Sequence, residues 1–478
     1  MPTTCIRNAA CIIAWDAANK RHAYLNGGDV AFTEDRLTYV GRHYDGTSDT
    51  TIDGTELMVM PGLIDLHSHP STEPFYRGVR EEHGVPAMYM SGLYERSFAL
   101  QPDAAARRAG KQVAFSEMLL TGITSVADLS GIDEGWIDTA AQSGLRVFLA
   151  PSYASARWHL ENGWALRYRW DEAAGRRGFD AALALIEQAA SHSSGRLSGI
   201  VSPAQIDTCT TDLLRDSFAA AEARDLPMTV HCAQSVNEFL VMVDRHGKSP
   251  VQFAHDLGIL SPRTVLGHAM FIDEHSWVRW HTRTDLRALV DTGTHVAHCP
   301  SPFARYGHTL EDFGRYTRAG VNLGIGTDVA PHNVIGEMRL AAILARVAAR
   351  DITTTSIGAL FHAATVGGAD ALGRADLGRL TPGAKADLVL VDLANPWMRP
   401  ARDPLRSLVF TAADRAVRTV FVHGAKVMDQ GRVLTLDHQA ALAGVAEGQQ
   451  RMLRDAPSRD WAGRTAEQIS PLSLPILQ

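Results

Sequence analysis

The sequence predicts an α/β protein: a (β/α)8 barrel of the TIM type with a small β-sandwich domain formed from both chain ends. Apolar strands alternate with amphipathic helices through the middle of the chain. Short strands with Gly, Asn and Asp turn signals fill the first sixty residues, and the same pattern returns in "GRLTPGAKADLVLVDL". We therefore expect the sandwich in residues 1–60 and 378–435, the barrel in 61–377, and a peripheral helical tail in 436–478.

Composition excludes several classes of protein. The 478 residues carry a formal net charge of -7, which argues against nucleic acid or an anionic membrane surface as a partner. No apolar run reaches the roughly 20 residues of a membrane span, and the first residues lack a signal-peptide pattern. The five cysteines are scattered, which is typical of reduced thiols and predicts a cytoplasmic location.

Polar residues follow several of the predicted barrel strands. The strand candidates are "GLIDLHSH", "TSVADLS", "RVFLAPS", "LSGIVSPA", "MTVHCA", "TVLGHA", "THVAHCP" and "VNLGIGTD". In a barrel of this kind, chemistry takes place at the carboxyl ends of the strands. The first strand ends in His67 and His69, the fifth in His231, the sixth in His268, and the eighth in Asp328.

This set of side chains predicts a metal site. His67 and His69 are one residue apart, so both point to the same face of their strand. With His231 and Asp328 they offer three neutral nitrogens and one carboxylate, which suits Zn²⁺ and also Fe²⁺ or Mn²⁺. A bound metal lowers the pKa of its water to about 7, and His268 is placed to hydrogen-bond or deprotonate that water. A single such histidine is more often a buried polar residue without a ligand, but that interpretation is weak for the whole set.

The ordered motifs "PGLIDLHSH", "VHCAQ", "LGHA", "VAHCP", "GIGTD" and "LTPGAKADLVLVD" resemble the amidohydrolase superfamily. The most similar branch holds triazine chlorohydrolases, adenosine and S-adenosylhomocysteine deaminases and cytosine-deaminase-like hydrolases, and the resemblance covers residues 1 to about 435. It implies that His67, His69, His231 and Asp328 are metal ligands and that His268 orients or activates the water. It also implies a homo-oligomer, either a dimer or a tetramer.

The sequence departs from that branch on the fifth strand. Deaminating members carry His-x-x-Glu there, and their Glu shuttles protons to a ring nitrogen; here the motif ends in Gln234. A carboxamide has no acidic proton to donate, so Gln234 either contacts substrate or caps the following helix.

The fourth and seventh strands also differ. Many relatives carry a substrate-facing His after the fourth strand, where this chain offers Gln205, Asp207 and Cys209. The fourth strand also lacks the lysine that bridges two metals in binuclear members, so we expect one divalent ion per chain. Phe303 stands where relatives commonly have Asn.

Loops near the predicted site add candidates for substrate binding. Residues 154–178 are long for a βα loop and rich in Trp, Arg and Tyr. They form either a lid, with Trp158 or His159 reaching substrate, or a packing or subunit contact. Arg305 is a candidate for an anionic substrate group or a solvated loop residue. His332 either contacts substrate or starts the next helical region.

We therefore expect a metal-dependent hydrolase of a non-peptide C–N bond in a small molecule, of the amide, urea or carbamate-like type. Such a bond requires no protonated ring nitrogen, which fits the loss of Glu at Gln234. Asp328 and His268 would move the proton toward the leaving group. One alternative is an aminohydrolase or chlorohydrolase of an aromatic N-heterocycle that uses another acid, such as Glu337, or a water. Another is a non-catalytic metal-binding barrel, against which the retention of His268 argues.

Overall fold

The computed structural model describes residues 1–80 and 91–477. Its strands are β1 (Thr3–Asp16), β2 (Arg21–Thr33), β3 (Arg36–Gly41), β4 (Thr50–Asp53), β5 (Leu57–Pro61), β6 (Leu63–Ser68), β7 (Ile123–Asp128), β8 (Arg146–Leu149), β9 (Ser152–Tyr153), β10 (Ala156–Leu160), β11 (Leu166–Trp170), β12 (Leu197–Gly199), β13 (Ser202–Pro203), β14 (Met228–Cys232), β15 (Thr264–His268), β16 (His295–His298), β17 (Leu323–Ile325), β18 (Leu388–Asp392), β19 (Val417–Val422), β20 (Ala425–Asp429) and β21 (Arg432–Val433).

The helices are α1 (Ser91–Ala99), α2 (Ala104–Leu120), α3 (Trp136–Ser143), α4 (Glu172–Ala190), α5 (Thr211–Ala223), α6 (Val236–His246), α7 (Pro250–Leu257), α8 (Asp285–Thr292), α9 (Pro300–Arg305), α10 (Phe313–Ala319), α11 (Val334–Ala349), α12 (Ile357–His362), α13 (Gly368–Ala371), α14 (Pro404–Ser407), α15 (His438–Arg459) and α16 (Ala466–Ile469). Short 3-10 segments cover Glu73–Tyr76 and Ala413–Ala416, and π-helical turns cover Ala363–Gly367 and Leu408–Ala412.

Two four-stranded parallel sheets occupy the centre of the molecule. Their strand orders are β12-β8-β7-β6 and β14-β15-β16-β17. Single bridges link the two sheets: Ser68 pairs with Asp328, and Gln205 pairs with His231. Strands β6, β7, β14 and β15 are buried along their whole length, as expected for parallel strands covered on both faces. The carboxyl ends of β6 and β14 and the chain that follows β17 therefore meet at one edge of the two sheets.

Helices that follow these strands begin at side-chain caps. Asp103 accepts a hydrogen bond from the amide of Ala106 at the start of α2. Ser235 accepts one from the amide of Glu238 at the start of α6. Such caps satisfy amides that have no partner inside the helix. Because Ser235 caps α6, the alternative in which Gln234 serves as the cap is wrong.

Both ends of the chain contribute to one nine-stranded sheet. Its order is β21-β20-β19-β18-β5-β1-β2-β3, with β4 paired to β1. Strands β5 and β18 are antiparallel and match Leu57 with Asp392. The rings of Phe32 and Phe421 are 5.4 Å apart although three strands separate β2 from β19 in the sheet order. The sheet therefore folds back over a core of its own.

The C-terminal region is helical in α15 and α16, and it contacts the chain that follows β6. The amide of Gln449 on α15 donates to the carbonyl oxygens of Phe75 and Arg77, at 2.7 and 2.8 Å. Gly448 lies against the ring of Phe75, where a Cβ would come within 2.6 Å of the ring. Within residues 1–80 and 91–477, the helices are all too short or too polar to cross a bilayer.

Candidate metal centre and active site

Four predicted ligands converge where the central strands end. The Nε2 atom of His231 lies 3.1 Å from that of His67 and 3.3 Å from that of His69. The carboxylate of Asp328 reaches Nε2 of His69 at 3.2 Å and Nε2 of His67 at 3.8 Å. The ligand atoms of His67, His69 and Asp328 lie within 4.8 Å of one another, and so do those of His67, His231 and His268, which is close enough to hold an ion.

The far nitrogens of two of these histidines have backbone partners. Nδ1 of His69 lies 3.0 Å from the carbonyl oxygen of Leu129, and Nδ1 of His231 lies 2.6 Å from that of Ala204. A carbonyl accepts only, so each Nδ1 carries a proton, and Nε2 presents a lone pair whenever the ring is neutral. Lone pairs that face each other at this distance repel unless a cation lies between them. The donor set therefore fits a divalent metal ion.

Burial favours neutral His67 and His231, whereas the ionised carboxylate of Asp328 favours a positive charge at His69. Burial lowers the pKa of His231 to about 3 and that of His67 well below its usual value. Burial alone would raise the pKa of Asp328, but its hydrogen bond to His69 and the neighbouring imidazoles bring that pKa below its usual range. Burial also opposes protonation of His69, yet the contact with Asp328 raises its pKa. The carboxylate thus draws one positive charge to this point.

His268 belongs to the same cluster. Its Nε2 lies 3.8 Å from the carboxylate of Asp328, and its ring centroid is 4.7 Å from that of His67. Burial lowers the pKa of His268 to about 4, so the side chain is neutral near pH 7. It is adjacent to the ligand atoms and available as an acceptor.

Two of the site residues have a left-handed backbone. His268 has φ 85° and Asp328 has φ 61°, a region that residues with a Cβ seldom adopt. The amide of Asp328 is held by the carbonyl oxygen of His67 at 2.8 Å. Such conformations persist only where the surrounding structure fixes them, and they cluster at functional sites.

A buried clamp lies beneath the ligands. The carboxylate of Asp65 accepts hydrogen bonds from the amide and hydroxyl of Thr327, at 2.9 and 2.6 Å, and from the amide of His67 at 3.3 Å. Nδ1 of His332 lies 3.0 Å from the Thr327 hydroxyl and 3.1 Å from that of Ser68. The clamp fixes β6 against the chain that carries Asp328.

A cavity of about 230 Å³ opens above the ligands. Its lining includes His69, His231, His268 and Asp328, and five of the predicted substrate-binding residues: Trp158, Gln205, Gln234, Phe303 and Arg305. The ring of Phe303 packs on that of His268, with centroids 4.6 Å apart. The guanidinium of Arg305 donates to the carbonyl oxygen of Ala330 at 3.0 Å.

Two other predicted substrate contacts lie outside this lining. His159 faces the opposite side of its strand from Trp158 and pairs with the guanidinium of Arg169 at 2.9 Å. His332 is fully buried in the clamp. Neither side chain is among the described residues that reach the cavity, so a substrate contact is not supported for either.

The long segment after β8 is a β-hairpin. Strands β10 and β11 pair, and they place the indole of Trp158 and the hydroxyl of Tyr168 on one carboxylate oxygen of Asp207, at 3.0 and 2.5 Å. The ring of Trp158 also packs edge-on against Tyr94 of α1. The segment therefore forms an ordered wall of the cavity.

Gln234 and Gln205 meet inside the cavity. Nε2 of Gln234 donates to Oε1 of Gln205 at 2.5 Å. The carboxylate of Glu238 accepts from the amides of Ala233 and Gln234, so it serves the turn and not the cavity. Glu337 binds the amide and hydroxyl of Ser301, which occupies both of its oxygens. The interpretation of Glu337 as a replacement acid therefore lacks support.

Comparison with known proteins gives the family. The family model described as "Amidohydrolase family" matches residues 58–427. The chain belongs to the amidohydrolase family. It is a hydrolase of that type, and the comparisons give no support to the non-catalytic alternative.

Similar amidohydrolases include deaminases of adenosine derivatives. A 5-methylthioadenosine/S-adenosylhomocysteine deaminase of Natronomonas pharaonis is 29% identical over 84% of this chain and 90% of its own length. A 5'-deoxyadenosine deaminase of Methanothermobacter thermautotrophicus is 26% identical over 87% and 92%.

Solved structures share the fold. The atrazine chlorohydrolase of Arthrobacter aurescens, complexed with zinc, superposes with a TM-score of 0.80 at 24% identity, covering 93% of this chain and 100% of that one. An adenosine deaminase from Xanthomonas campestris with bound zinc gives 0.79 at 23% identity, covering 94% and 98%.

The sequence did not single out three buried residues of this amidohydrolase site. Asp65 lies inside the first-strand motif, where its two-residue spacing from His67 was the available signal. Glu73 and Arg96 line the cavity and form an ion pair at 3.4 Å. They come from separate segments, so no local pattern joins them.

Proposed function

We propose that this amidohydrolase hydrolyses a non-peptide C–N bond of an amide, urea or carbamate-like small molecule. The observation that carries the proposal is the position of Gln234. Gln234 lies in the cavity beside the converged ligands, and its side chain donates to the neutral amide of Gln205. Protonation of a ring nitrogen would need a carboxyl at this position, and a carboxamide has no acidic proton to supply.

His67, His69, His231 and Asp328 would hold one divalent cation per chain, with zinc as the preferred ion because the set is three imidazoles and a carboxylate. When bound, such an ion lowers the pKa of a coordinated water and supplies hydroxide near neutral pH. The backbone partners of His69 and His231 keep both Nε2 atoms aimed at the site.

Proton transfer is assigned to His268 and Asp328. His268 is neutral near pH 7 because burial lowers its pKa to about 4, so it can orient a water by accepting a hydrogen bond. The oxygen of Asp328 that faces His268 at 3.8 Å is positioned to accept the water's proton. The water's oxygen bonds to the carbonyl carbon of the substrate, the leaving nitrogen takes that proton, and the C–N bond breaks.

The two glutamines would orient the substrate. Their shared hydrogen bond leaves an N–H of Gln205 and the oxygen of Gln234 for further partners. Trp158 and Phe303 supply apolar walls. The arrangement suits a flat, polar group held by neutral hydrogen bonds.

A second candidate is an aminohydrolase or chlorohydrolase of an aromatic N-heterocycle. The relatives favour it, since several that are similar in sequence are named as deaminases of adenosine derivatives. This route needs an acid other than Gln234. Among the described residues, the carboxyls that line the cavity are those of Asp328 and Glu73. Burial raises the pKa of Glu73.

We further propose that the eight central parallel strands close into a (β/α)8 barrel over residues 61–377. The bridges from Ser68 to Asp328 and from Gln205 to His231 support closure at both seams. The folded-over nine-stranded sheet supports a β-sandwich built from residues 1–60 and 378–435.

Product analysis tests the proposed function. Zinc-loaded protein is incubated with matched amides, ureas and aminated heterocycles, and released ammonia or amine is measured with and without a chelator. We expect metal-dependent release from amides or ureas. Efficient deamination of heterocycles with no release from amides and ureas would replace the first candidate with the second.

A further inference from the structure

Two buried side chains of opposite charge line the cavity and have no role in the first candidate reaction. Glu73 opens the 3-10 segment after β6, and Arg96 lies on α1. They are 6% and 8% exposed. Nη2 of Arg96 lies 3.4 Å from Oε1 of Glu73, and the guanidinium carbon lies 4.2 Å from the ring centroid of Tyr76.

Both partners are anchored from outside the cavity. The amide of Glu73 donates to the carbonyl oxygen of His69 at 3.2 Å, which fixes it to the end of β6. On α1, the hydroxyl of Tyr94 meets that of Ser235 at 2.8 Å. Two separate elements, the 3-10 segment and α1, therefore place the pair on one wall of the cavity.

The pair uses little of its hydrogen-bonding capacity. A guanidinium has five N–H donors and a carboxylate accepts at two oxygens. Across the described part of the chain, the one hydrogen bond of the Arg96 guanidinium is its 3.4 Å contact with Glu73. Buried ion pairs stabilise a fold only when further hydrogen bonds satisfy them. Open donors and an open acceptor on a cavity wall therefore point to a ligand.

The signs of the two charges select the ligand. An anion bound to Arg96 would also meet Glu73, and a cation bound to Glu73 would also meet Arg96. A neutral ligand with an N–H beside a C=O on one edge is repelled by neither charge, and it leaves the ion pair intact. It also gains hydrogen bonds to charged groups, which are stronger than neutral ones.

We propose that Glu73 and Arg96 form a subsite for a neutral edge in which an N–H lies beside a C=O, as in cyclic ureides and oxo-substituted N-heterocycles. Glu73 accepts from the N–H, and Arg96 donates to the C=O. The inference rests on the proposed function, because it places the non-reacting end of the substrate. It makes both residues determinants of specificity.

Calorimetry on the zinc-loaded full chain tests the subsite with uracil and 1,3-dimethyluracil, which lacks the N–H. We expect uracil to bind at least roughly 10-fold more tightly than its dimethyl form. Glu73→Gln and Arg96→Gln should each weaken uracil binding by roughly 10- to 100-fold and remove the discrimination. Arg96→Lys, which keeps the charge without the planar fork, should restore part of it.

Matched controls come from the exposed pair Glu161 and Arg167 on the hairpin, 4.0 Å apart. Glu161→Gln and Arg167→Gln should leave both affinities unchanged. A purely structural role for Glu73 and Arg96 would weaken both probes equally, and that result overturns the subsite. So does equal binding of the two probes by the unaltered protein, or stronger competition by acetate, methylammonium or glycine than by uracil.

Catalysis is measured separately, so the two proposals fail separately. Discrimination between the probes with no release of ammonia or amine from any compound overturns the proposed function and retains the subsite. Metal-dependent release of ammonia or amine without discrimination between the two probes overturns the subsite and retains the proposed function.

Discussion

Gln234 and Gln205 share a hydrogen bond of 2.5 Å inside the cavity, next to His231. The position after β14, the fifth strand of the predicted barrel, is thus filled by a neutral amide that already donates one N–H. An amide in this position orients a partner but supplies no acidic proton. The choice between amide-like substrates and aminated heterocycles depends on this pair.

Exchanging the amide for a carboxyl tests that choice. Gln234→Glu is nearly isosteric and would place an acid beside the ligands, so we expect deamination of aminated heterocycles to rise and hydrolysis of amides or ureas not to improve. Gln205→Glu is the matched control, because it adds the same charge one hydrogen bond away. Ammonia release by each variant is the measurement. Efficient heterocycle deamination by the unaltered protein would contradict the premise.

Metal content should be close to one divalent ion per chain. The fourth strand of the predicted barrel, "LSGIVSPA", has no lysine that could bridge a second ion. His67→Ala and Asp328→Ala should each lose most of the metal, because each removes a ligand atom. Elemental analysis of protein purified without chelators measures this. Two tightly held ions per chain would refute the prediction.

His268 should affect turnover more than metal content. His268→Asn keeps a polar side chain but removes the base, and we expect a loss of roughly 10²–10⁴-fold in kcat with the metal retained. His298→Asn is the control, since His298 is also a buried histidine at a strand end but does not line the cavity. Loss of the metal with the His268 side chain would make it a ligand instead.

Asp65 should act on the metal through its hold on the neighbouring backbone. Asp65→Asn removes one acceptor from the clamp on Thr327 and His67 and should weaken metal affinity by roughly 10- to 100-fold. Asp128→Asn is the comparison, because Asp128 is an equally buried carboxyl bound to Ser130 and Trp136. Titration against a chelator gives both affinities, and equal effects would remove the special role of Asp65.

Stability should fall at acid pH through His22, a histidine that does not line the cavity. Burial lowers the pKa of His22 to about 3, from 6.5. Between those values the unfolded chain binds a proton that the folded chain does not, so stability present above pH 6.5 is lost as the pH falls. The slope for one group is at most about 1.4 kcal/mol per pH unit. His22→Gln should reduce that slope in denaturant titrations between pH 4 and 7, and an unchanged slope would refute the prediction.

Strand ends made the convergence of His67, His69, His231 and Asp328 predictable, because side-chain direction along a strand depends only on spacing. The same rule separates Trp158 from His159, but the sequence did not reveal which of the two faces the cavity. The hairpin decides it by placing Trp158 on Asp207. The pairing of Glu73 with Arg96 could not be predicted from the sequence, because it depends on how α1 packs and not on any local pattern.

The pairing of β5 with β18 has a consequence for biosynthesis. Strand β5 is made early, whereas β18 emerges only after most of the chain has been translated. At about 5–20 residues per second, the newly made edge waits some tens of seconds for its partner. An unpaired edge is a template for association with other chains, so the nascent N-terminal half should depend on ribosome-associated chaperones until synthesis is nearly complete.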